Sequence, residues 1–302
     1  MTTEAHNLRA RDVINLAAPH TWAASVMPAV LAVAYSYGKT GRILPDMAAC
    51  LFLIAILMQS AVNALNDYAD YVKGTDTAEN SPEAFDAVIV YGLRPKTARN
   101  LGIAFLAAAL IPGIYTVVRC GVFPLVIGLI GGATVVLYSL GKTPISYLPL
   151  GELVSGFVMG GLIPLAGVHM LTGRAEPEAL LQALPMILGI GLIMFSNNGC
   201  DIERDLEAGR RTAACLLGRE RTDRIYPIAL AVWLVMPAAV FAVQGRFTSM
   251  LVYILQIPVF IHAFSLQLHR TLGQQERGPI MGGINSLNIM LGFAYCVALL
   301  VK

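Results

Sequence analysis

Apolar residues run along this chain in blocks of about twenty, the length a helix needs to cross the hydrocarbon of a bilayer. Nine such blocks can be marked, over residues 13–36, 47–70, 97–118, 121–140, 147–171, 179–198, 225–243, 248–266 and 280–301. Gly and Pro interrupt the fourth and fifth, so those two have the least sharp boundaries. The pattern predicts an all-α polytopic membrane protein of nine transmembrane helices, folded as one membrane-embedded domain over residues 1–302.

Polar connections between the blocks alternate in length. Those over 38–46, 119–121, 172–178 and 244–247 are short, whereas 71–96 and 201–224 are long. Long loops in compact domains tend to carry function or to be disordered. Each long loop follows a polar stretch that breaks off the end of an apolar block. The first is Asn63-Ala-Leu-Asn66-Asp67-Tyr-Ala-Asp70-Tyr-Val-Lys73-Gly74-Thr-Asp76. The second is Asn197-Asn198-Gly-Cys-Asp201-Ile-Glu-Arg-Asp205-Leu-Glu-Ala-Gly209-Arg210-Arg211-Thr212. Carboxylates and amides recur three or four residues apart in both, so on a helix they share one face. The first cluster ends the second block and the second ends the sixth, a weak internal repeat. Two four-helix halves and a closing ninth helix would bring the clusters face to face.

Composition supports the membrane reading. The chain is 56% hydrophobic and 13% charged, against about 25% charged residues in soluble domains. A net charge of +2 says little by itself, and nucleic acid is not an expected partner; the lipid bilayer is. The distribution of the charges says more. With nine crossings, 15 of the 21 Lys and Arg residues fall on the side of the amino terminus and both long loops, and 6 on the other. The positive-inside rule then places the amino terminus and both acidic loops, as a cap, in the cytoplasm of a cell whose inner membrane holds the protein. No cleavable leader is expected, because Arg9, Arg11 and Asp12 precede the first block without a clear small-residue cleavage site. The five cysteines are scattered with no CxxC, and no HExxH is present, which gives neither a disulfide framework nor a zinc site.

Burying such polar groups in a membrane segment without partners costs several kcal/mol each, by rough reckoning, so the clusters read as a site. Clustered carboxylates with amide oxygens beside them are hard ligands of the kind Mg²⁺ takes, its shell completed by water and phosphate oxygens. Two facing clusters would hold two ions and clamp a diphosphate between them. Lys73, Arg94, Lys96, Lys142, Arg210 and Arg211 are available for the remaining phosphate charge. A lipid chain on that diphosphate would lie among the apolar helices. Positive charge developing on its allylic carbon would be stabilised by an aromatic face, which points to prenyl transfer. Each feature also has a plainer explanation. One acidic helix end is ordinarily a solvated cap, but two matching ones on the same side are not. Tyr138 and Tyr147, flanking a Gly/Pro turn near Lys142, fit either interfacial anchors or cation stabilisers. His20, in Pro19-His20-Thr21-Trp22, fits either an intrahelical histidine or a contact to an aromatic acid. Glu152 follows Gly151 near a helix start, where capping competes with a site role.

At these residues the chain resembles the UbiA superfamily of intramembrane prenyltransferases. The first motif of that family is Asn-Asp-x2-Asp-x3-Asp; Asn66, Asp67 and Asp70 match it, while Gly74 stands at the fourth position with Asp76 two residues on. Lys73-Gly74-x-Asp76 is a feature of the 1,4-dihydroxy-2-naphthoate polyprenyltransferase branch. The second motif, Asn197-Asn198-x2-Asp201-x3-Asp205-x3-Gly209-x2-Thr212, is similar to the same branch, as are Pro19-His20-Thr21 and Tyr138-x2-Gly141-x2-Pro144-x2-Tyr147-x3-Gly151-Glu152. Residues 81–86 depart from the Gly-Pro-x-Arg of many branch members, which makes Arg94 the substitute for the phosphate-binding arginine of that loop.

The resemblance implies Mg²⁺-dependent transfer of a polyprenyl group from polyprenyl diphosphate to an aromatic acceptor, dihydroxynaphthoate in this branch, with loss of carbon dioxide. The metal roles carry over to Asp67, Asp70, Asp201, Asp205 and Asp76. Catalysis is expected of Asp67, Asp70, Asp201 and Asp205 with Tyr138. Substrate binding is expected of Asn63, Asn66, Lys73, Arg94, Lys142, Asn197, Asn198, Arg210, Tyr147 and His20. Two other functions remain to be weighed: the same chemistry on another acceptor (4-hydroxybenzoate, haem or an isoprenoid glycerol phosphate), and a secondary transporter. Transporter sites lie near the bilayer midplane, whereas these acids sit at the ends of their blocks.

Overall fold

The computed structural model describes residues 6–75, 88–90 and 92–301, and among them the fold is helical apart from one isolated bridge between His6 and Leu93. The chain enters through α1 (Ala10–Ala17) and α2 (Ala23–Thr40), a pair bent by 57°. The bend has a local cause. Ala18 adopts a left-handed φ of 46°, and Pro19 lacks the amide that would continue the helix. The Ala17 carbonyl exposed at the break is taken up by Trp22 Nε1 and Asn63 Nδ2, both at 3.0 Å.

Next come α3 (Pro45–Val72), α4 (Pro95–Cys120) and α5 (Phe123–Ser139). The short α6 (Gly151–Ser155) runs through a π-helical turn (Gly156–Leu162) into α7 (Ile163–Thr172), and α8 spans Glu178–Cys200. Two short surface helices, α9 (Ile202–Glu207) and α10 (Ala213–Leu217), lead into α11 (Arg219–Val243), α12 (Phe247–Leu268) and α13 (Arg277–Leu300). All nine apolar blocks fall on helices, yet the expected nine crossings are not reproduced. Among the described residues seven helices are long and apolar enough to span a membrane, and the bent α1–α2 pair, taken as one span, makes eight. The fourth block gives only the 17-residue α5. It stops at Ser139, because Leu140 is extended, Gly141 has a left-handed φ of 102° and Pro144 follows.

Large aromatic side chains on α11–α13, among them Trp233, Tyr226, Tyr253, Phe241, Phe260 and Tyr295, form the main core together with α2 and α8. Around α3–α5 packing is thinner, with Ala61, Leu65 and Val135 at its centre. α13 packs against α2, α8 and α12 and so joins the two parts. The α6–α7 segment meets α8 almost backbone to backbone. A Cβ at Gly160 would lie 2.6 Å from the Ile187 Cα, and one at Gly156 2.6 Å from the Ile187 carbonyl. Small residues four apart permit this approach, as they do between membrane helices generally.

Candidate active site

A cavity of about 2020 Å³ runs between these helices, about twice the upper end of ordinary small-ligand pockets. One end is apolar, lined by Leu51, Ile114, Val117, Pro124, Leu129 and Met170. The other end is polar, and both predicted clusters open into it.

On α3, Asn63 lies three and four residues before the adjacent pair Asn66–Asp67, which in turn lies four and three residues before Asp70, and all four line the cavity. Asn66 is fixed at both ends of its amide. Its Nδ2 donates to Asp70 Oδ2 at 2.9 Å, and its Oδ1 accepts from Ser139 Oγ at 2.9 Å. Asn63 holds the α1–α2 bend, donating also to Thr21 Oγ1 at 2.9 Å. His20 and Thr21 bring that bend into the cavity wall. On the opposite wall stand Asn197 and Asn198 from the last turn of α8, Asp201 at the break after it, and Asp205 from α9. Tyr138, near the end of α5, lines the cavity, and its buried hydroxyl has no hydrogen-bond partner.

Two guanidinium groups sit among these acids. Arg210 donates to Asp70 and, at 3.4 Å, to Asp205 Oδ1, so it links the two clusters directly. Gly209, at φ 74°, makes the left-handed turn that returns Arg210 over α9, where its backbone amide bonds the Asp205 carbonyl at 2.7 Å. Arg277, the first residue of α13, donates from Nε to Asp201 Oδ2 at 3.1 Å and from Nη2 to Asn197 Oδ1 at 2.8 Å. Burial pushes the Asp205 carboxyl up to about 7, with Asp201 and Asp70 adding to the rise and Arg210 opposing it. Burial also works against the charge on Arg210, but Asp70 and Asp205 outweigh it and hold that group above its ordinary value.

The donor set fits a divalent cation. Asp201 Oδ1 and Asp205 Oδ2 are buried without a hydrogen-bond partner, while the other oxygen of each carboxylate faces an arginine. A buried carboxylate oxygen without a donor is costly, and a hard cation satisfies it. Among the described residues no group of three or more His, Cys, Asp or Glu side chains forms a ready cage. That suits Mg²⁺, which uses one or two carboxylates and completes its shell with water and phosphate.

Four predicted binding residues are not part of the cavity wall. Lys73 is exposed and ties α3 to α5, with Nζ 2.9 Å from the Ser139 carbonyl. Tyr147 offers its ring to the chain's own cations, Lys73 at 4.6 Å and Arg210 at 5.1 Å, so it supports Arg210. Lys142 is exposed on the turn after α5, and Arg94 is the exposed N-cap of α4. Asp76 and the 81–86 stretch lie outside the described residues.

Three wall or near-wall residues are not among the expected site residues, although a site role for Glu152 competes with capping in the sequence. Glu152 caps nothing; its Oε1 accepts from Asn198 Nδ2 at 2.9 Å and its Oε2 is buried without a partner. Arg204 and Arg277 line the cavity, though sequence reasoning counted both only as sidedness markers. A cation at the first residue of a helix opposes the helix dipole, and that signal could have singled out Arg277.

Comparison with known proteins agrees with this geometry. Residues 25–281 match the model of the UbiA prenyltransferase family. The chain is 32% identical over 289 residues to the 1,4-dihydroxy-2-naphthoate octaprenyltransferase of Bacillus subtilis, covering 95% of this chain and 91% of that protein. It is 25% identical over 262 residues to the Haemophilus influenzae protein of the same name, covering 84% of each. The fold is that of a UbiA homolog from Archaeoglobus fulgidus solved with GPP and Mg²⁺, with a TM-score of 0.63 at 19% identity over 95% of this chain and 99% of that one. The sequence match over most of the chain and the shared fold lead to one conclusion: this protein belongs to the UbiA prenyltransferase family.

Proposed function

We propose that the protein transfers a polyprenyl group from polyprenyl diphosphate to 1,4-dihydroxy-2-naphthoate, releasing diphosphate and carbon dioxide and giving demethylmenaquinol for menaquinone biosynthesis. The observation that carries this reading is a single cavity with two acidic walls at one end and an apolar end beyond them. The naphthoate octaprenyltransferases among its relatives supply the acceptor.

In this reading Asp67 and Asp70 on one wall and Asp201 and Asp205 on the other are the carboxylates that hold two Mg²⁺ ions, with Asp76 a further ligand of the first. When bound, Mg²⁺ supplies the positive charge that neutralises the diphosphate as it leaves. Asn66, held at both ends of its amide, keeps Asp70 in place, and Asn197 and Asn198, each hydrogen-bonded at one end, orient around the diphosphate through the other. Arg210 moves between Asp70 and a phosphate oxygen, a task suited to a forked guanidinium. Apolar walls hold the prenyl chain and keep water from the allylic carbon, and Tyr138 presents a ring where positive charge develops. The acceptor enters beside His20 and Asn63 at the α1–α2 bend. The polar mouth faces the cytoplasm in the inner membrane, the side to which the excess of Lys and Arg is assigned.

The test is mass spectrometry of lipid products. Purified protein receives polyprenyl diphosphate, Mg²⁺ and a mixture of dihydroxynaphthoate, 4-hydroxybenzoate, haem and an isoprenoid glycerol phosphate. Prenylated, decarboxylated naphthoquinol supports the reading; a product on another acceptor replaces the substrate, and no product with any acceptor removes the enzyme.

A further inference from the structure

Arg277 is placed where nothing about helix stability would put it. It opens the 24-residue α13, and a cation in the first turn is opposed by the helix dipole. Nor is it needed to hold α13 to α8. Asn288 Nδ2 already donates to the Gly189 carbonyl at 3.2 Å, and the Tyr295 hydroxyl donates to Gln182 Oε1 at 2.5 Å. Arg277 donates instead to two oxygen acceptors one helical turn apart, on Asp201 and Asn197. Its side chain is 36% exposed at the cavity mouth while that of Asp201 is 9% exposed, so the carboxylate is fixed and the guanidinium has room to turn.

From this geometry, and resting on the prenyl-transfer reading above, we infer that Arg277 is a tethered cation that exchanges places with the metal. Without metal it neutralises Asp201 and holds Asn197. When a divalent ion takes those oxygens, Arg277 turns into the mouth and binds the diphosphate. The exchange is favourable because the guanidinium satisfies only one Asp201 oxygen and leaves Oδ1 buried without a donor. A compact divalent ion bears twice the charge on the same carboxylate. Displaced, the arginine fork finds a diphosphate whose oxygens match it in charge and geometry.

The inference predicts changes of opposite sign, which a purely structural ion pair would not give. Full-length protein in detergent is titrated with Mn²⁺, a cation of the same oxygen-ligand class, and free Mn²⁺ is read by electron paramagnetic resonance. Geranyl thiodiphosphate, which does not react, is then titrated at saturating Mn²⁺. Arg277→Ala removes a charged hydrogen-bonding competitor, so Mn²⁺ alone binds about threefold to tenfold tighter, whereas the analogue binds about tenfold weaker. Arg277→Gln shows the same signs with smaller size and serves if the alanine variant does not fold. Arg277→Lys, which keeps the charge without the fork, recovers part of the analogue affinity. If the wild type binds both probes and Arg277→Gln changes neither, or weakens both, the exchange is overturned and the prenyl-transfer reading stands. A wild type that binds neither probe overturns both.

Discussion

Adding one methyl group at Gly160 tests whether the site depends on the close approach of the π-helical turn (Gly156–Leu162) and α8. A Cβ there would lie 2.6 Å from the Ile187 backbone, against about 3.5–4.0 Å for an unstrained carbon contact. Backbone atoms cannot rotate away, so α8 must move by roughly 1 Å. Overpacking of this kind costs about 1–3 kcal/mol, or about 2–8 °C in Tm for a chain of this size. The displacement travels further than the clash. Asn197 lies ten residues beyond Ile187 on the same helix, about 15 Å along its axis. The 2.9 Å bond between Asn198 and Glu152 spans the two moving parts and would be stretched beyond hydrogen-bonding range. A 1 Å misplacement of a positioning group costs about 10²-fold in rate. Gly160→Ala is therefore expected to insert and fold, to melt a few degrees lower and to lose up to about 10²-fold in kcat/KM. Gly161→Ala, whose Cβ would meet side-chain atoms of Ile187 and Leu180, the nearest being Ile187 Cδ1 at 3.2 Å, should be milder, and Gly132→Ala, with open space around it, should be silent. The assay pairs a thermal melt in detergent with single-turnover prenyl transfer. Wild-type behaviour of Gly160→Ala, or equal effects at all three glycines, would refute the reasoning.

Asp67→Asn and Asp201→Asn should each lower turnover by at least about 10²-fold with unchanged melting, whereas Arg174→Ala, on the exposed turn after α7, should leave turnover unchanged. Arg210→Ala leaves Asp70 and Asp205 facing each other without their shared cation, a loss of about 3 kcal/mol in chelator. Mg²⁺ at a hundred times its Kd should return about 2.7 kcal/mol, so its melting temperature should respond to Mg²⁺ more than that of the wild type. For Glu152, the glutamine variant can still accept from Asn198 and the alanine variant cannot. Near-normal Mn²⁺ binding by Glu152→Gln with weakened binding by Glu152→Ala would mark the residue as positioning Asn198; equal losses in both would contradict that role.

Much of this site is legible in the sequence because a helix converts spacing into direction. Asn63, Asn66, Asp67 and Asp70 share a face by arithmetic alone, and the same holds for Asn197 and Asp201. Position in space across the bundle is another matter. Lys73, Lys142 and Arg94 were expected at the diphosphate because they are basic and close in sequence, but long side chains at helix ends are free to serve packing instead, as Lys73 does on Ser139. Arg277 and Glu152 were underrated for the opposite reason. Each reaches its partner across a contact between helices, Arg277 to residues 76 and 80 positions away, and no periodicity within one helix reports that. The nine crossings expected from hydropathy are not reproduced at α5, where Gly121 and the turn over Leu140–Pro144 confine the fourth block to 17 helical residues.

Arg210 follows Asp70 by 140 residues in the chain. A growing polypeptide therefore lays down the first acidic face, and the helices from α4 through α8, well before the positive group that will balance it is made. Until then Asp70 needs water or dissolved ions in place of Arg210, so α3 has reason to keep its last turns at the bilayer surface while the remainder is threaded in. Assembly of the catalytic mouth thereby waits for the second half of translation, and a chain truncated before α9 would carry an unbalanced anionic rim.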